Sequence, residues 1–95
     1  MKTINFKQFS VFTDISKKHT VTGDVREDFA NILYMKFGGI KSHNLAFRIY
    51  NSNGEEKYSE EEIELMVKAS EAFCLPNFID ALQEQINQNN KTQEL

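Results

Sequence analysis

The segment Tyr58-Ser59-Glu60-Glu61-Glu62-Ile63 fixes one helix start more tightly than any other stretch of the chain. Ser59 stands as N-cap, Glu62 three residues on closes a capping box, and Tyr58 and Ile63 are spaced as a hydrophobic staple. The three glutamates fall in the first turn, beside unpaired backbone N–H groups and the positive end of the helix dipole. They read as architecture before chemistry. The spacing predicts a helix over residues 59–73, with Ile63, Met66, Val67, Ser70 and Phe73 on one stripe and Leu65, Ala69 and Ala72 widening it. Pro76 cannot continue that helix but suits the first position of another, so a corner forms at Leu75-Pro76. The next helix, residues 76–87, carries Phe78, Ile79, Leu82 and Ile86 as its apolar stripe.

Upstream, Ile4, Phe6, Phe9, Val11, Phe12 and Ile15 recur at spacings near two, which predicts a strand with an irregularity around Gln8. The segment Asp14-Ile15-Ser16-Lys17-Lys18-His19 then supplies polar turn residues ahead of the β-branched run Thr20-Val21-Thr22, making a β-hairpin. A lone hairpin is barely stable in water, so its Phe-rich face must pack on helices. Asp24 and Glu27 form a second capping-box pattern ahead of Val25, Phe29, Ile32, Leu33 and Lys36, a helix over residues 24–37 that Gly38-Gly39 ends. Residues 42–58 admit two readings. Ser42 can cap a short helix with His43, Leu45, Ala46, Ile49 and Tyr50 on one face, or Leu45, Phe47 and Ile49 can alternate as a strand that Asn53-Gly54 turns into residues 55–58. The helical reading is preferred. The expected fold is α+β: an N-terminal β-hairpin packed on a bundle of three to four short helices, residues 1–87 as a single small domain and residues 88–95 as a frayed polar tail.

Ninety-five residues suit one domain. With 40% hydrophobic and 12% aromatic residues, the chain is too apolar for intrinsic disorder. Its net charge of −3 hides an asymmetry: residues 1–50 hold eight Lys/Arg against four Asp/Glu (+4), and residues 51–95 three against ten (−7). Such a split can favour docking of the two halves or head-to-tail contact between copies, and it equally fits solvated faces that differ by chance. A pI near 5.3, with no basic run longer than Lys17-Lys18, makes nucleic acid an unlikely partner. One cysteine forms no disulfide framework, no apolar stretch has the length of a membrane span, and residues 1–9 alternate instead of building a signal-peptide core. The expected compartment is the cytoplasm, without membrane contact.

No reactive constellation is visible in the sequence. Cys74 sits at a helix C-terminus beside Phe73 and Leu75, where the dipole disfavours a thiolate, and reads as a small buried residue. His19 and His43 lack the spacing of a metal site, and Glu55–Lys57 with Glu60–Glu62 lacks the alternating ligands of a calcium loop. Phosphate-cradling glycine loops and the G-x-S-x-G elbow are absent. The expectation is therefore a protein that is not an enzyme, with no cofactor and no metal. It would bind a protein partner or itself through apolar surface, with Leu45, Phe47, Tyr50, Met66 and Phe78 as candidate contacts. The alternative is a small regulator that binds nucleic acid through its basic N-terminal half, drawing on Lys17, Lys18, Arg26, Lys36, Lys41 and Arg48.

Phe6-Lys7-Gln8, the run Asn44-Leu45-Ala46-Phe47-Arg48-Ile49-Tyr50-Asn51, the capped segment from Tyr58 to Ile63 and the Leu75-Pro76 corner together resemble small uncharacterised proteins of phages, prophages and related mobile elements of bacteria. The likeness spans about residues 4–87. It departs in a longer hairpin turn at residues 16–19 and in lacking a branched aliphatic run after the proline. The resemblance implies a fold and a genomic setting, and it carries over no catalytic residue; the leading expectation, an accessory or assembly factor of such an element, rests on the many apolar residues without a reactive constellation.

Overall fold

The computed structural model describes residues 2–93, with side chains described through residue 88. In chain order the elements are β1 (Lys2–Asn5), β2 (Phe9–Phe12), β3 (Thr20–Gly23), α1 (Arg26–Lys36), α2 (Ile40–Tyr50), β4 (Glu55–Tyr58), α3 (Glu60–Phe73) and α4 (Pro76–Gln93). The fold is α+β, with an N-terminal hairpin packed on helices as expected. Two antiparallel two-stranded sheets are present among the described residues: β1 with β4, and β2 with β3.

The run from Ile4 to Ile15 is two strands and not one. Asn5 Oδ1 accepts from the N–H groups of Lys7 at 3.0 Å and Gln8 at 2.9 Å, an Asx turn that bends the chain where the alternation falters. Phe6 lies inside this bend, wholly buried, and its carbonyl accepts from Val25 N–H at 2.9 Å. The freed β1 pairs with β4 across most of the chain, Lys2 facing Tyr58 and Asn5 facing Glu55. Residues 55–58 are thus a strand, but their partner is β1; the stretch before them is helical. Asn53-Gly54 joins α2 to β4 instead of turning a hairpin, with Gly54 at φ 127°, a conformation that disfavours any side chain.

Two expected caps do not form. Asp24 Oδ1 accepts from Arg26 N–H and Nε, both at 3.0 Å, so the carboxylate closes on its neighbour, Val25 takes the N-cap position, and α1 starts at Arg26. Ser42 does not cap α2; it is buried within the first turn, and Gly39, at φ 99°, is the N-cap. The Gly38-Gly39 pair therefore opens α2 as much as it closes α1, which ends on an extended Phe37. The Ser59 cap is present in full: Ser59 Oγ accepts from Glu62 N–H at 3.2 Å and Ser59 N–H donates to Glu62 Oε1 at 2.8 Å. Pro76 opens α4, which continues through Gln93, past the Asn87 end of the apolar stripe; residues 94–95 of the expected tail lie outside the described residues.

The core is a chain of rings. Phe6 stacks on Phe9 (5.7 Å between centroids) and Phe29 (5.3 Å), Phe78 of α4 stacks on Phe9 (4.6 Å) and tilts against Phe29 (5.0 Å), and Tyr58 meets Phe6 edge-on at 6.1 Å. Ile4, Leu33, Leu45, Ile49, Met66 and Leu82 complete it. Each ring pair adds about 0.5–1.5 kcal/mol beyond simple burial, which makes the bend at Phe6 the point where β1, β2, α1 and α4 are joined.

Candidate functional site

Five residues were expected at a binding surface, and the fold separates them. Leu45 and Met66 are buried in the core, and Phe78 is half-buried between Phe9 and Phe29, so none of these three can be a principal contact. Periodicity identifies an apolar face but not which face the rest of the chain will cover. Phe47 and Tyr50 remain, 46% and 54% exposed, on the outer side of α2.

These two belong to a groove between α1 and α2. The helices run antiparallel through the corner at residues 37–39, and Arg26 Nη1 donates to the Ser52 carbonyl at 2.5 Å, tying the start of α1 to the chain just beyond α2. Ala30 and Ala46, nearly fully buried, form the floor; their small side chains leave a trough where larger residues would fill the space. Tyr34 and Phe47 wall one end, edge-to-face at 5.7 Å, with His43 against Phe47 at 4.9 Å. Glu27, Asn31 and Tyr50 line the rest of a cavity of about 320 Å³. Along α2, Ile40, His43, Phe47 and Tyr50 follow at steps of three, four and three, an exposed stripe on one helix face. Sequence reasoning passed over Tyr34, which is 56% exposed; its signal was a position on α1 opposite the Val25, Phe29, Leu33 stripe.

Part of the charge asymmetry is met within the chain. Lys41 pairs with Glu61, Arg48 with Glu62 and with Glu56 (3.3 Å), and Lys17 with Asp80 (3.7 Å), each joining a base of the first half to an acid of the second. Exposed pairs of this kind contribute about 0–1 kcal/mol each, so they orient more than they stabilise. Arg48 does more than pair. Its guanidinium lies 4.8 Å from the centre of the Tyr58 ring and donates to the Lys57 carbonyl at 2.8 Å, clamping β4 between α2 and α3. Burial acts to raise the Glu62 carboxyl's pKa, but Arg48 and the Ser59 N–H outweigh it and hold the group below its ordinary value. Burial pushes the Tyr58 phenol up to about 12, assisted by the nearby Glu56 charge. Its hydroxyl is buried without a hydrogen bond of ordinary geometry among the described residues, and the neighbouring Ser52 hydroxyl donates to the Ile49 carbonyl at 2.8 Å.

The reactive residue types are dispersed. Cys74 is the C-cap of α3, half-buried, its thiol pushed up by burial, and its N–H donates to the Ser70 carbonyl at 2.9 Å. His19 is exposed in the β2–β3 loop, whereas His43 lies on α2 against Tyr34 and Phe47. No group of three His, Cys, Asp or Glu residues able to hold a metal ion occurs among the described residues. A second cavity of about 410 Å³, between the β2–β3 loop and the start of α4, is lined by Phe12, Ile15, Lys17, Leu75 and Asp80; its Lys17 and Asp80 are already paired. No helix among the described residues is long and apolar enough to cross a membrane.

Comparison with protein-family models, with curated proteins and with solved structures finds no match.

Proposed function

We propose that this chain is a non-catalytic protein-interaction domain, an accessory or assembly factor of a phage-like or mobile element, whose docking site is the α1–α2 groove. The reading rests on one observation: an aromatic-walled trough with an alanine floor stands open to solvent, while every strong polar contact nearby serves the fold. The occupant is a helical segment of a protein partner that seats an apolar side chain over Ala30 and Ala46, as ridges of one helix enter the groove between two others. Glu27, which makes no ion pair among the described residues, would face a lysine or arginine flanking that anchor. Tyrosine and phenylalanine walls supply large contact area at small entropic cost.

The genomic setting is supported by the resemblance of the Phe6–Gln8, Asn44–Asn51 and Tyr58–Ile63 segments and the Leu75-Pro76 corner alone. The nucleic-acid alternative draws less support, because Lys17, Arg26, Lys41 and Arg48 are each engaged with a carboxylate of the same chain.

A photo-crosslinking residue at position 50, expressed in the native host, should capture a partner that the same residue at Glu71 on α3 does not. The captured protein, purified, should bind Phe47→Glu at least about tenfold more weakly than the wild type, since loss of a central aromatic anchor typically costs 2 kcal/mol or more. Equal binding of the two, or no position-specific capture, overturns the reading.

A further inference from the structure

The two sheets treat their outer backbone groups differently. In β1, Asn5 N–H donates to Gln85 Oε1 at 2.7 Å and the Asn5 carbonyl accepts from Gln85 Nε2 at 3.1 Å. In β4, the Lys57 carbonyl accepts from Arg48 at 2.8 Å, and in β2 the Phe12 carbonyl accepts from Asn77 Nδ2 at 3.2 Å. Three strands thus have outward polar groups met by a side chain. β3 has no such guard among the described residues, and all four of its residues are exposed.

Which of its groups face outward follows from the ladder. Thr13 N–H donates to the His19 carbonyl at 3.0 Å, in the same register as Val11 with Val21 and Phe9 with Gly23. Hydrogen-bonded and non-hydrogen-bonded pairs alternate in an antiparallel ladder, so Thr20 and Thr22 turn their N–H and C=O groups away from β2. The strand is short, uncharged and β-branched, with no proline, bulge or inward charge to discourage pairing.

We infer that β3 pairs with β3 of a second copy of this chain, antiparallel about a two-fold axis at Val21, joining two hairpins into one four-stranded sheet. Thr20 and Thr22 are the outward-bonding residues, and this register alone sets Thr20 of each copy against Thr22 of the other, so that both residues bond. Two further features meet in it. Val21, 57% exposed, faces Val21 of the second copy, extending the row begun by the half-buried Val11. Lys18, which has no ion pair among the described residues, comes opposite Asp24 of the second copy, a carboxylate that also holds its own Arg26 at 2.7 Å, twice over by symmetry. The partner edge is the same edge, so the interface closes on itself as a dimer and does not propagate. A four-residue edge covers far less than the ~1,200 Å² of a stable interface, so the dimer is a concentration-dependent one. This surface is separate from the α1–α2 groove, and either can fail without the other.

Sedimentation of the full chain from micromolar to millimolar concentration, with amide exchange followed by NMR at both ends, tests the pairing. Dimer should grow with concentration while the Thr20 and Thr22 amides pass from fast to slow exchange; the Val21 amide, bonded to Val11, stays protected throughout. Thr22→Pro removes an outward N–H and, of the contacts to β2, only the exposed Ser10–Thr22 hydroxyl bond, leaving the backbone ladder intact, so it should keep the hairpin and abolish the dimer. Lys18→Glu, on an exposed loop position, should weaken association about tenfold by setting acid against acid at both ends of the edge. A monomer at every concentration, a dimer whose Thr20 and Thr22 amides still exchange freely, or a Lys18→Glu protein that associates like the wild type overturns the inference.

Discussion

β1 and β2 are neighbours in sequence, similar in length, and both pack against α4, yet the sheets they start have opposite characters. The β1–β4 sheet lies deep: Ile4 and Tyr58 are fully buried, Gln85 covers one edge and Arg48 the other. The β2–β3 sheet is anchored through Phe9 and then runs outward, until at Val21 and Ile15 it carries large apolar side chains into solvent. What separates them is the source of the partner strand. β4 is delivered between two helices that supply side chains to its surroundings, whereas β3 is attached only through a local turn and brings nothing to cover its far side.

The largest expected effect breaks this comparison if it fails. Ile4→Ala should destabilise by about 2–5 kcal/mol, and Val21→Ala by less than about 1 kcal/mol, in urea melts at a concentration where the chain is monomeric. Equal losses would mean that the two sheets are buried alike.

The edge side chains come next. Arg48→Ala should cost about 1–3 kcal/mol, because it removes a partner from Glu62, Glu56 and the Lys57 carbonyl at once, and Gln85→Ala about 1 kcal/mol. Glu62 adds a pH signature. Its folded pKa is depressed, so its contribution is present above the usual carboxylate range and is lost as pH falls through the lowered value. Chemical denaturation across acid pH should show that loss in the wild type and a flatter acid limb in Arg48→Ala.

The smallest effect sharpens the picture of the buried sheet. Tyr58→Phe removes a hydroxyl that has no ordinary hydrogen bond and leaves the ring under Arg48, so stability at neutral pH should change by no more than about 1 kcal/mol. At high pH the signs reverse in importance. The folded phenol titrates near 12 and the unfolded one near 10, so the wild type should lose stability progressively between those values, and Tyr58→Phe should lose that component. Melts at alkaline pH read the difference directly.

The parts of this molecule that a reader of the sequence can recover are those fixed within a few residues. Ser59 with Glu62, and Pro76 after Leu75, act on backbone groups one turn away, and both stand in the structure as their spacing implies. Asp24 with Glu27 has the same pattern and fails, because Arg26 at the next-but-one position offers the carboxylate a charged donor closer at hand. The pairing of β1 with β4 had no local sign at all, since nothing in Lys2–Asn5 specifies a partner at Glu55–Tyr58. The groove was half visible: Phe47 and Tyr50 were named, while Tyr34, Ala30 and Ala46 acquire meaning only when α1 folds back on α2.

That distant pairing has a bearing on how the chain is made. During synthesis the hairpin of β2 and β3 and the α1–α2 corner can close as soon as each has left the ribosome, but Asn5 must wait for Glu55, and then for Gln85 eighty positions further along. Of the four described strands, the earliest made is the last to be paired. Loop closure over such spans is slow relative to hairpin and helix formation, so β1 stays unpaired, with Ile4 uncovered, until the later elements have been made.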